Sequence, residues 1–172
     1  LAALKQLDIG AWFNPQFKDE RIMTLDETMA LLQAHHLHFN LELKPSMGED
    51  REALDNMLAI LEKHQVNPQS VMLSSFNHAT LRLLHSLTKT YPIAVLQDDW
   101  DEACIKTAIE LNAVSINVNC ENLNASRVAV IKAAGFGVLS YTVNDVEQAS
   151  RLFDWGVDGI FTDDVRLWCD EI

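Results

Sequence analysis

Hydrophobic residues recur along this chain with two periods. The stretch Phe39-Asn40-Leu41-Glu42-Leu43-Lys44-Pro45 alternates with a period of two, which sets Phe39, Leu41 and Leu43 on one side and Asn40, Glu42 and Lys44 on the other. Five more strand-like runs follow, over 71–76, 93–96, 114–118, 138–143 and 159–162. Helical spacing fills each gap. Leu25, Met29 and Leu32 form a stripe that runs to about His36, and Leu54, Leu58 and Leu61 mark a helix over 51–65. Thr24 and Glu27 read as a capping box. Gly135 and Gly156 stand where helices should stop, and Asn144 with Glu147 reads as the start of the last connecting helix.

The strand-like runs are spaced by about two dozen residues, the size of a β/α unit. Six such units fit. A closed (β/α)₈ barrel has eight strands and typically ~250 residues. The pattern therefore predicts an α/β fold, a TIM barrel of which strands three to eight are present, in a single domain over 1–172. Strands one and two are expected upstream. The opening Leu1-Ala2-Ala3-Leu4-Lys5, without methionine, agrees with a C-terminal portion of a longer protein. An open doubly wound sheet is the alternative, although the glycine-rich phosphate turn common in such sheets is absent. Parallel sheets are covered on both faces. Glu42 and Lys44 then belong in a barrel interior, at the carboxyl end of a strand.

Composition narrows the function classes. Of 172 residues, 48% are hydrophobic and 22% charged, a globular balance. The net charge of −12 argues against non-specific binding to nucleic acid or an anionic membrane. A bound metal ion and plain solubility are both compatible with that acidity. Cys104, Cys120 and Cys169 are odd in number and form no CxxC, so reduced thiols in a cytoplasmic protein are expected. No apolar run is long enough to span a bilayer, and no signal peptide opens the chain. With strands three and eight as exposed edges, self-association into a homo-oligomer is expected of these residues on their own.

Glu42 and Lys44 carry the clearest chemistry. A carboxylate that ligates Mg²⁺ or Ca²⁺ beside an ammonium that binds phosphate suits phosphoryl chemistry; an interior ion pair is the competing reading. Ser115, Asn117 and Asn119 are expected to face the lumen while Val114, Ile116 and Val118 contact helices. Asn119, nearest the carboxyl end, is the better ligand candidate of the three. Phe76 and Tyr141 also fall at strand carboxyl ends, as site residues or as core aromatics. So do Ser75, Asn144, Thr162 and Asp163, with Asn144 read as a helix cap. His35, His36 and His38 cluster near a helix end without the i, i+4 spacing of a zinc pair, and His78 and His85 are expected outside the barrel. No Gly-x-Ser-x-Gly occurs. The residues alone describe a barrel-like phosphate or metal site that lacks a general acid/base.

Several segments look familiar together. Asn40-Leu41-Glu42-Leu43-Lys44 resembles the N-I-E-L/I-K strand of the glycerophosphodiester phosphodiesterase family. In the same order, Leu7-Asp8-Ile9-Gly10-Ala11-Trp12-Phe13 resembles L-D-A-G-x-W-F, and Glu20-Arg21-Ile22-Met23-Thr24-Leu25 resembles G-E-x-I-P-T-L with methionine for proline. Leu73-Ser74-Ser75-Phe76 matches L-S-S-F, and Tyr141-Thr142-Val143-Asn144 resembles W/Y-T-V-N. The run from Gly156 to Asp163 is similar to G-V-D-G-I-x-T-D. The resemblance covers essentially the whole chain. It implies a TIM barrel that hydrolyses glycerophosphodiesters, small-molecule substrates, to glycerol 3-phosphate and an alcohol with a divalent metal, Mg²⁺ or Ca²⁺. It maps a metal ligand to Glu42 and phosphate contact to Lys44, and extends substrate contact to Phe76 and Tyr141. The family's Glu-x-Asp pair and its H-R-G and H-D histidine motifs are absent, so no catalytic residue is visible and this stretch alone is expected not to catalyse. A catalytically dead module that binds phosphodiesters or a partner chain is the alternative function.

Overall fold

A computed structural model describes residues 1–46 and 48–168. Six strands form one parallel sheet: β1 (Phe39–Glu42), β2 (Val71–Ser75), β3 (Ile93–Gln97), β4 (Ser115–Asn119), β5 (Gly137–Tyr141) and β6 (Gly159–Ile160). Their spatial order is the order in sequence, β1 to β6, with every neighbouring pair parallel. A doubly wound sheet reverses strand order at a switch point. This sheet does not, so its topology is that of a barrel wall. β1 and β6 are its two edges.

Helices α1 (Leu25–Ala34), α2 (Asp50–Lys63), α3 (His78–Leu87), α4 (Ala103–Leu111), α5 (Ala125–Ala133) and α6 (Val146–Asp154) connect and cover the strands. Local chemistry explains their ends. At α1 the Thr24 hydroxyl accepts from Glu27 N at 3.2 Å and the Glu27 carboxylate accepts from Thr24 N at 2.8 Å, the expected capping box. Gly135 and Gly156 follow α5 and α6 with φ of +89° and +95°, where a Cβ would be strained. The start of α6 differs from expectation. Its cap is Asp145, which accepts from Gln148 N at 2.7 Å, because Asn144 is engaged elsewhere.

The two sheet faces differ as the alternation predicts. Leu73, Val95, Ile116, Val118 and Val138 are fully buried in one apolar core with Leu54, Leu61, Leu81, Leu84, Val128, Ile131 and Leu152 of the helices. Burying each such side chain contributes about 1.5–3 kcal/mol. The inner face mixes polar with apolar side chains such as Met72, Leu96 and Leu139, and on it Ser115 Oγ donates to Asn117 Oδ1 at 2.8 Å. Val114 precedes β4 and is half exposed, so only Ile116 and Val118 of that series join the core. Ser74 Oγ, Asn117 Nδ2 and Asn40 Oδ1 have no hydrogen-bond partner among the described residues.

Among the described residues no helix is long and apolar enough to cross a membrane. Cys104 and Cys120 are free, buried thiols. Burial pushes the Cys104 thiol up to about 11, and burial next to Glu121 raises that of Cys120. Cys169 lies outside the described residues.

Candidate active site

The register defines which side chains share the inner face. Asn40 pairs with Met72, Glu42 with Ser74, Leu96 with Asn117, and Asn119 with Tyr141. At the carboxyl end of this face Asn40, Glu42, Phe76, Leu96, Tyr141, Thr142 and Phe161 line an open cavity of about 230 Å³. Three of the five residues singled out from the sequence therefore meet: Glu42, Phe76 and Tyr141. Phe161 is a further wall that the sequence reasoning missed. Its position one residue past β6, in phase with Tyr141 across the β5–β6 pair, was the available signal.

Glu42 ends β1 with its side chain exposed to the cavity. The Phe76 and Tyr141 rings meet edge to face, with centroids 5.7 Å apart and planes at 88°. Such a pair contributes about 0.5–1.5 kcal/mol beyond area burial. Tyr141 Oη donates to Gln97 O at 2.8 Å. Burial raises the phenol's pKa, and the carboxylates of Asp98 and Glu42 raise it further. Tyr141 is thus a neutral phenol whose proton is committed to a backbone carbonyl. It offers the cavity a ring and no titrating group.

The other two residues stand apart. Lys44 does not line the cavity with Phe76 and Tyr141. It lies two residues past the last paired residue of β1 and borders a second cleft, which Glu42 also lines, with Leu25, Pro45 and Met57. Lys44 thus shares a cleft with Glu42 but not with the two aromatic rings. Asn119 is committed to the loops: its Nδ2 donates to Asp98 Oδ1 at 2.7 Å and its Oδ1 accepts from Glu121 N at 3.0 Å. Asn144 behaves likewise. It donates to Asp163 Oδ2 at 2.9 Å and accepts from Thr162 Oγ1 and Asp163 N at 3.0 and 2.9 Å. This ties the loop after Tyr141 to the loop after Phe161.

None of the six histidines borders the cavity. His35 closes α1, and His36 and His38 flank a cleft at the amino end of β1, opposite to Glu42. His64 Nε2 lies 2.7 Å from Asp26 Oδ1 between α1 and α2. His78 and His85 lie on α3. A hard divalent cation needs about six or more oxygen ligands. Among the described residues no three His, Cys, Asp or Glu side chains converge. Glu42 is one donor, and this set by itself does not fit the ion.

The sequence profile of the glycerophosphoryl diester phosphodiesterase family matches residues 1–167. The chain belongs to that family. It is 30% identical to the glycerophosphodiester phosphodiesterase of Bacillus subtilis over 94% of this chain and 60% of that protein. It is 28% identical to that of Caldanaerobacter subterraneus, over 95% of this chain and 67% of the relative. An Oleispira antarctica phosphodiesterase, solved with the product sn-glycerol-3-phosphate, superposes with a TM-score of 0.87 at 30% identity, covering 94% of this chain and 66% of that structure. The chain thus spans about 60% of the length of the Bacillus relative, and its six strands correspond to part of a family barrel.

Proposed function

We propose that these residues form one side of an active site that, in the intact protein, hydrolyses glycerophosphodiesters to glycerol 3-phosphate and an alcohol. One observation carries the reading: in a family barrel wall, Glu42, Phe76 and Tyr141 line a single cavity at the carboxyl ends of the strands, the end at which TIM-barrel enzymes react. The Oleispira structure, with sn-glycerol-3-phosphate bound, supports the product class.

Each residue has a role that its placement supports. The Phe76, Tyr141 and Phe161 rings present apolar surface to the three-carbon unit of the substrate and exclude water from it. Glu42 contributes one oxygen ligand to a divalent cation, Mg²⁺ or Ca²⁺, whose other ligands these residues do not supply. When bound, such an ion neutralises phosphate charge. Lys44, which shares a neighbouring cleft with Glu42, supplies a positive charge for the phosphate. Asn119 acts through Asp98, holding the loops after β3 and β4 together. Proton transfer to the leaving alkoxide needs a positioned acid, and no histidine here is placed for it. These residues on their own are therefore expected to be inactive and, with β1 and β6 as open edges, to self-associate. The unpaired thiols support a reducing, cytoplasmic setting.

A second reading, a binding module without catalysis, draws support from the lack of a converging metal-ligand set among the described residues. The assay that separates the two is release of glycerol 3-phosphate from glycerophosphocholine and glycerophosphoethanolamine by the intact protein, with and without Mg²⁺ or Ca²⁺. Metal-dependent release that Glu42→Gln abolishes is the expected result. Binding without release in every metal condition would establish the binding module.

A further inference from the structure

The end of β1 is held by a side chain. Ladder pairing between β1 and β2 stops at Glu42 and Ser74. One residue on, Leu43 N still donates to Ser74 O at 2.7 Å. The Leu43 carbonyl then needs a donor, and β2 is turning into α3, where the Asn77 side chain caps the helix by accepting from Ala79 N and Thr80 N. The Ser75 hydroxyl fills the gap. It donates to Leu43 O at 2.7 Å and accepts from Asn77 N at 3.0 Å, with Ser75 only 1% exposed.

We propose that Ser75 is a positioning residue that sets Glu42 and Lys44 relative to Phe76. Its donor bond lands on the residue between Glu42 and Lys44, and Phe76 follows it in the chain. Ser75 points away from the cavity and into the outer layer, so it touches no substrate. It fixes the spacing of two adjacent strand ends where backbone pairing no longer does. An alanine there leaves the Leu43 carbonyl and the Asn77 N–H without a buried partner, and both strand ends relax apart. A displacement of this kind, on the order of 1 Å, can cost about 100-fold in rate without removing any reacting group.

The catalytic part of this inference rests on the proposed function; the geometric part does not, and the test keeps them separate. In the intact protein, Ser75→Ala is compared with the parent by nuclear Overhauser contacts between the Phe76 and Tyr141 rings, by divalent-cation affinity in calorimetry, and by glycerol 3-phosphate release. The expected result is loss of the ring contact and weaker cation binding. A fall of about 10- to 100-fold in kcat/KM is also expected, with little further loss when Ser75→Ala is added to Phe76→Ala. Should the alanine variant fail to fold, Ser75→Cys, slightly larger and with only a weak donor, is read in the same way. An unchanged ring contact in a folded variant overturns the proposal whatever the activity. Multiplicative losses in the double variant would overturn it as well, since they make the hydroxyl independent of Phe76. A parent protein with no turnover refutes the proposed function instead, and leaves the ring contact to decide on Ser75.

Discussion

Tyr141 separates a wall from a catalyst. Tyr141→Phe keeps the ring, its edge-to-face contact with Phe76 and its surface in the cavity, and removes the Oη that donates to Gln97 O at 2.8 Å. Leaving a buried acceptor unpaired costs about 1–3 kcal/mol. Tyr141 and Gln97 are only half-buried, so about 1 kcal/mol is expected. For a domain of this size that is a fall of roughly 2–4 °C in Tm. Tyr141→Ala removes the ring as well. A core aromatic truncation costs about 3–5 kcal/mol; at half burial, with the lost hydrogen bond added, roughly 3 kcal/mol is expected. Because the ring and not the hydroxyl serves the cavity, the phenylalanine variant should keep kcat/KM within about threefold, while the alanine variant loses about 100-fold by unsettling Phe76 and the substrate. The assays are urea denaturation and glycerol 3-phosphate release between pH 6 and 9. The raised phenol pKa keeps Tyr141 neutral across that range, so the parent and Tyr141→Phe should share one pH profile. A 100-fold loss in Tyr141→Phe, or a pH limb that vanishes with it, would show that the hydroxyl takes part in the chemistry.

Other outcomes follow from the same geometry. Glu42→Gln preserves volume at an exposed position, so the fold should persist while divalent-cation affinity in the intact protein falls by at least about tenfold; equal affinities in calorimetry would reject Glu42 as a ligand. The Lys5 ammonium and the Thr24 cap hold the Glu27 carboxyl at about 2 instead of 4.5. Because this folded-state value is depressed, its stabilisation is present above pH 4.5 and is lost as pH falls through about 2. Glu27→Gln should flatten that acid limb in thermal melts, and an unchanged limb would place its origin elsewhere. Asn144→Ala removes three hydrogen bonds between the loops after β5 and β6 and should cost roughly 1–2 kcal/mol in urea denaturation. A loss below about 0.5 kcal/mol would mean that water replaces the bracket at little cost.

What could be read from the sequence was what local chemistry determines. The alternation around Glu42 placed it on the inner face, and the capping box of Thr24 and Glu27 needs only residues three apart. Strand order also followed, because short β/α units leave little topological choice. Alternation carries no mark of where pairing stops, so it does not tell that Lys44 borders a second cleft beside Glu42 and not the cavity of Phe76 and Tyr141. Asn119 and Asn144 are spent on Asp98 and Asp163, partners 21 and 19 residues away. Such brackets are formed between loops that only the folded sheet brings together, and no spacing rule announces them. Ser75 was visible as part of a familiar motif, yet its partner Leu43 lies 32 residues earlier across a strand pair.

The central claim is that these residues build one side of a metal-assisted phosphodiesterase site and need further barrel strands to work. The direct measurement is glycerol 3-phosphate release from glycerophosphocholine by residues 1–172 alone, and by the same residues in a chain that supplies two further β/α units, each with and without Mg²⁺ or Ca²⁺. One carboxylate and no histidine at the cavity predict no release from residues 1–172 in any metal condition. Metal-dependent release should appear in the completed barrel and disappear with Glu42→Gln. Metal-dependent turnover by residues 1–172 alone would contradict the claim.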